Sequence, residues 1–203
     1  MTSSARSAVP PLLLAAYALL FVACGIDPHS RGTWWAENIP IVAIAVTLAV
    51  LYVRGFRFSN LAYVLMSVLI YMHTIGGHYT FERVPFDWVT RTFGFERNHY
   101  DRIAHFSVGF YAFAIAEALV ARKLVARSWI ACAFGVFAIG TVAAVYEIIE
   151  WIYAATAGGD AGAAFLGSQG DIWDAQKDML ADISGAVVAT ALWAARQQRH
   201  SAP

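Results

Sequence analysis

The chain has 203 residues, of which 59% are hydrophobic and only 14% charged, with a formal net charge of zero. Soluble domains carry about 25% charged residues, so this balance excludes an ordinary soluble enzyme. The lack of a basic surplus excludes a nucleic-acid-binding surface as well, and what remains is a polytopic membrane protein.

Six apolar stretches of roughly 17 to 25 residues follow one another. The first, Val9 to Ile26, holds Phe21-Val-Ala-Cys24, a loose likeness to a lipoprotein cleavage box. The Phe is atypical and Arg6 is a thin basic lead, so the segment reads as a retained helix. The second runs from Asn38 to Val53 and ends at Arg54 and Arg57; the third covers Leu61 to Gly77. The longest polar connection, Gly76 to Arg102, contains Pro85-Phe-Asp-Trp88-Val, which reads either as a short amphipathic helix at the interface or as an aromatic belt loop. Ile103 to Ala121 forms the fourth helix and leads into Arg122, Lys123 and Arg127. Trp129 to Tyr153 forms the fifth. The Gly- and Ala-rich connection after it, Ala154 to Gly170, predicts a mobile outer loop before the sixth helix, Asp174 to Ala195. Basic turns free of acids after helices two and four, with Arg6 before and Arg196 and Arg199 after the bundle, predict six spans with both termini cytoplasmic. No repeat or linker divides the chain, which therefore reads as one all-α membrane domain over residues 1–203. Cys24 and Cys132 fall at opposite ends of their helices, too far apart for a disulfide.

The feature least expected in such a chain is Asp171-Ile-Trp-Asp174-Ala-Gln-Lys177-Asp178-Met-Leu-Ala-Asp182, which opens the last apolar segment. Steps of three, four and four put these carboxylates on one helical face, continued by Gly185 and Ala189. A charge near the bilayer centre costs about 3 kcal/mol on insertion scales, so the stripe should face protein, water or a cation. Asp171 and Asp174 also suit helix caps, but Asp178 and Asp182 lie too deep for capping.

Three more clusters fall at the same predicted outer end: Asp101 with His105, Glu147 with Glu150 beside Tyr146, and His73 with His78 around Gly76-Gly77. Asp101 also suits the N-cap of helix four, and Glu147 and Glu150 could be structural partners of Arg102 or Lys177. Arg97, Arg102 and Lys177 are the nearby cations. Residues 73–185 thus supply a polar site. Carboxylates with an imidazole suit a divalent cation, Mg²⁺, Mn²⁺, Ca²⁺ or Zn²⁺, for which Glu147, Glu150, Asp174, Asp178 and Asp182 are the expected ligands. Asp101 or His105 would then act as general base. Glu117, on the cytoplasmic half of helix four, is expected to snorkel or pair with Arg122 and to take no part.

Three pieces of the chain carry a family likeness: Arg97-Asn-His-Tyr100-Asp101-Arg102-Ile-Ala-His105-Phe106, Tyr146-Glu147-Ile-Ile-Glu150-Trp151, and Gln169-Gly170-Asp171-Ile-Trp173-Asp174-Ala-Gln176-Lys-Asp178-Met179. They resemble the YjdF-like inner-membrane proteins of unknown function, from about Tyr63 to Trp193. The resemblance implies a six-helix, multi-pass protein of the bacterial inner membrane and implies no reaction. A fainter resemblance is to VanZ-like proteins, associated with glycopeptide-antibiotic resistance. Their Asp-Lys-x-x-His-Phe is similar to Asp101 to Phe106, and their Asp-x-x-x-Asn-x-x-Gly to Asp178 to Gly185, with Arg102 in place of Lys and Asp182 in place of Asn. That likeness implies a role in the cell envelope.

Two functional classes follow. One is a membrane protein, enzymatic or not, whose metal-binding site meets a lipid-linked or phosphate-bearing envelope molecule arriving through the membrane lipids. The other is a proton- or cation-coupled transporter using the same carboxylates, with a non-catalytic scaffold as the plainest case.

Overall fold

A computed structural model describes residues 7–159 and 168–201 of the chain. Residues 160–167 of the connection expected to be mobile lie outside the described residues. Among those described, all the regular elements are helical: α1 (Val9–Gly25), α2 (Arg31–Val53), α3 (Asn60–Tyr79), α4 (Asp87–Phe93), α5 (Tyr100–Val108), α6 (Tyr111–Ala121), α7 (Ser128–Ala157) and α8 (Asp174–Ser201). Five units are long and apolar enough to cross a membrane: α2, α3, α5 with α6, α7, and α8. The 17-residue α1 is apolar but shorter.

Several helix boundaries differ from the expectation, and two of the differences have a clear local reason. Helix α2 starts at Arg31, not Asn38, because the Ser30 hydroxyl caps it by accepting from Thr33 N at 3.3 Å. The extra two turns carry Glu37, whose polarity hid it from a hydropathy reading. The fourth apolar stretch is two helices, α5 and α6, divided at Gly109-Phe110. There Phe110 N bonds to Ser107 O and Ala112 N to Gly109 O, so the turn tightens from α toward 3₁₀ spacing. Of the two readings of the long polar connection, the short helix is present as α4, closed by Gly94 in the left-handed region at φ 68°, with Trp88 and Phe93 exposed and Val89 buried.

Helix α3 sits centrally, against α1, α2, α5 and α6, while α7 and α8 pack on each other and on α6. The core between them joins Met66, Phe113 and Trp193 through Ala112, Ala116, Ala131, Ala186 and Ala189. Small residues suit this position, because helices in lipid associate by close packing and not by expelling water. The closest approach is between α5 and α8. A Cβ on Gly109 would strike the backbone of Gly185 and Ala186, and one on Gly185 would strike the carbonyl of Phe106. Only glycine fits at either place.

At the opposite end of the bundle, Glu117 accepts a hydrogen bond from Ser59 N at 2.6 Å and so serves the start of α3. It is not paired with Arg122, whose guanidinium lies over the Phe56 ring. Both cysteines are free thiols.

Candidate functional site

Helix α8 begins at Asp174, so three of the four aspartates share its inner face at steps of four. Asp174, Asp178 and Asp182 are 7%, 3% and 1% exposed, increasingly buried along the helix. Asp171 precedes the helix. Its Oδ1 accepts from Trp173 N at 3.1 Å in a local turn, and Lys177 Nζ donates to its Oδ2 at 2.6 Å. That bond to Lys177 holds the Asp171 carboxyl below the usual carboxylate range.

Two arginines cover the outer part of the stripe. Arg97 Nη1 and Arg102 Nη2 both donate to Asp174 Oδ1, and Arg102 Nε lies 3.1 Å from Asp178 Oδ1. Asp174, expected among the metal ligands, therefore stands in an arginine clamp. Lys177 is half-exposed and faces Asp171, away from the buried acids. The clamp rests on a connection that spacing alone could not disclose: Asn98 N donates to Gln169 Oε1, and Gln169 Nε2 returns a bond to Asn98 O, each at 3.0 Å. The Asn98 amide also donates to the carbonyls of Glu82 and Val84 and accepts from Tyr100 N, which ties three polar connections together. Beside it, burial and then the charges of Arg97 and Arg102 hold His99 below its ordinary pKa.

Deeper, His105 stands between two helices. Its Nδ1 is 3.3 Å from Asp182 Oδ2 on α8, and its Nε2 is 3.7 Å from Asp101 Oδ1 one turn earlier on α5. One donor atom from each of Asp101, His105 and Asp178 lies within 4.8 Å of the other two. A single cation with ligands at about 2.0–2.6 Å reaches across such a group. Asp182 Oδ1 and Glu147 Oε1 are buried with no hydrogen-bond partner among the described residues.

On the other side, Glu37 of α2 completes the site. Its Oε2 is 2.9 Å from His73 Nε2 on α3 and accepts from the Tyr146 hydroxyl on α7 at 3.3 Å. Sequence reasoning missed this residue, although an acid inside a membrane helix is conspicuous once α2 is started at the Ser30 cap. Glu147, next to Tyr146, and Glu150, one turn further along α7, lie within electrostatic range of His105 and Asp101. Among the described residues neither forms an ion pair with Arg102 or Lys177. His78 belongs elsewhere: its Nδ1 meets the carbonyl of Cys24 at 2.7 Å and its ring packs on Tyr79.

The site opens onto a cavity of about 420 Å³. His73, Asp101, His105, Tyr146 and Asp182 line one end, and side chains such as Ile44, Ile115 and Ile139 line the rest. This volume falls within the roughly 300–1,000 Å³ of ordinary ligand pockets.

Residues 9–199 match the family described as "Predicted membrane protein (DUF2238)". The chain is also 34% identical over 192 residues to "Inner membrane protein YjdF" of Escherichia coli (strain K12), covering 92% of this chain and 90% of the relative. The chain belongs to this family. It is accordingly an inner-membrane protein, YjdF-like along nearly its whole length, and the charged cluster lies inside the matched region. No solved structure gives a significant match.

Proposed function

We propose that this YjdF-like protein holds a divalent cation between α5 and α8, at Asp101, His105 and Asp178. The observation that carries the reading is the meeting of those three donor groups, from two helices, within 4.8 Å. Asp182 supports it from behind. A carboxylate on the far ring nitrogen of a histidine fixes the ring and raises its basicity toward a metal. Glu147, with a buried and unpartnered oxygen, is available as a further ligand or as a base. Glu150 lies in the same electrostatic field, while Asp174 serves the site by holding Arg97 and Arg102.

Two carboxylates and one imidazole suit Mn²⁺ or Zn²⁺ better than a site built of oxygens alone, with Mg²⁺ and Ca²⁺ as weaker fits. The favoured substrate is a lipid-linked or phosphate-bearing envelope molecule. A bound cation would polarise a phosphoryl oxygen. Asp101 or His105, whichever stays off the ion, would take a proton from the attacking group.

Metal analysis of the purified protein at near-neutral pH, together with thermal melts, tests the reading. Stoichiometric metal in the parent, lost in Asp178→Asn, is the expected result, as is a melting temperature that Mn²⁺ or Zn²⁺ raises in the parent alone. Glu117→Gln keeps an acceptor for Ser59 N at the opposite end and should leave metal content unchanged. A metal-free parent with no response to added ions overturns the cation. It would favour the proton-coupled carrier, in which the same carboxylates exchange protons.

A further inference from the structure

Both α2 and α7 line the 420 Å³ cavity, yet they do not form a packed helix pair: α2 packs on α3 and α7 on α6 and α8. They are joined at the polar end, where Tyr146 donates to Glu37. Below that bridge the walls are apolar, with Pro40, Ile41 and Ile44 on one side and Ile139, Val142 and Ala143 on the other. Val142 lines the cavity while 54% exposed, so the cavity reaches the outside of the bundle along α7. Both helices are membrane-spanning candidates, and a slot opening between them opens onto lipid.

The dimensions fit one hydrocarbon chain. From His105 on α5 at the polar end to Ile115 on α6 at the apolar end is ten positions, or ~15 Å at the usual helical rise per residue, which is half of a ~30 Å hydrocarbon core. A chain lying there spans one leaflet and brings its headgroup to Asp101, His105 and Asp182. Of these, Asp182 is 1% exposed and keeps an unpartnered Oδ1.

We propose that the slot between α2 and α7 admits one chain of a phosphate-bearing membrane lipid from the side, seating its phosphate at the His105 end through the cation. The headgroup assignment rests on the cation reading above. Bare carboxylates would select an amine instead, and that difference can be tested.

The test uses the full-length protein in phosphate-free dodecyl maltoside micelles with Mn²⁺, following thermal melts with decyl phosphate, inorganic phosphate, decanol or decylamine, and Mn²⁺ binding separately by paramagnetic resonance. Decyl phosphate should raise the melting temperature where inorganic phosphate and decanol do not. Val142→Trp and Ile44→Trp, which fill the slot from its two walls, should weaken the apparent affinity for decyl phosphate about tenfold or more and leave Mn²⁺ binding intact. Val145→Trp, half-exposed on α7 outside the cavity, should behave as the parent. Absent Mn²⁺ binding in the parent sinks the cation reading. Intact Mn²⁺ binding with a decyl phosphate response that neither slot variant alters sinks the slot, and equal protection by decanol, or better protection by decylamine, overturns the phosphate.

Discussion

Gly109 and Gly185 face each other with no room for a side chain on either, and this contact sets the chemistry one turn away. His105 lies four residues before Gly109 and Asp182 three before Gly185, so closing the backbones brings imidazole and carboxylate to 3.3 Å. The small stripe and the acidic stripe of α8 are two halves of one device.

Gly185→Ala should therefore act at a distance. The added methyl meets the Phe106 carbonyl and forces α5 and α8 apart, at a cost of about 1–3 kcal/mol for overpacking. A lower melting temperature with weaker metal binding is expected. Ala189→Gly, on the same face of α8, should leave metal affinity unchanged.

Glu37 gives a second test, because Gln and Leu separate its roles. Leu leaves the Tyr146 hydroxyl and His73 Nε2 without their acceptor, a loss of about 1–3 kcal/mol for buried polar groups. Gln retains an acceptor oxygen and should cost less. Thermal melts of both variants check this, and equal destabilisation would mean that charge, not hydrogen bonding, is what α3 and α7 require.

Topology is testable by single-cysteine labelling after replacement of Cys24 and Cys132. Arg54, Arg57, Arg122, Lys123 and Arg127 predict that the turns after α2 and α6 are cytoplasmic. An impermeant outer reagent should modify Glu96→Cys and Gly158→Cys and spare Ser128→Cys. The opposite pattern would invert the protein and turn the site toward the cytoplasm.

His99 predicts a pH effect. Its pKa is lowered in the fold by burial and by Arg97 and Arg102, so the unfolded chain binds more protons than the native one. Stability from this group is therefore greatest above the ordinary histidine pKa and falls as pH drops below it. His99→Gln should reduce the loss of thermal stability between about pH 7 and pH 5. An unchanged loss would show that other groups carry it.

Much of this arrangement was legible from residues in one chain. Helical spacing brought Asp174, Asp178 and Asp182 to one face, and the cost of inserting them predicted that this face is inward. The i,i+4 relation of Asp101 and His105 was equally plain. What escaped was long-range or local in another sense. Glu37 was hidden because its helix is started by a cap rather than by hydrophobicity. Asn98 and Gln169 are 71 positions apart, and nothing in their types marks them as a pair. The arginine clamp on Asp174 was within reach, since Arg97 and Arg102 were the nearby cations, but charge alone does not say which acid a guanidinium will choose.

The order of these groups along the chain bears on how the protein enters the bilayer. Glu37 on α2 meets His73 on α3, the next helix made, so the two form a hairpin that solvates its own acid. Asp178 and Asp182 come last, when Arg102 and His105 have already been placed. Each buried acid of these pairs is delivered either with its partner on the following helix or to a partner already waiting. No intermediate in this sequence of insertion has to carry an acid of α2 or α8 alone through lipid for longer than one helical hairpin takes to close.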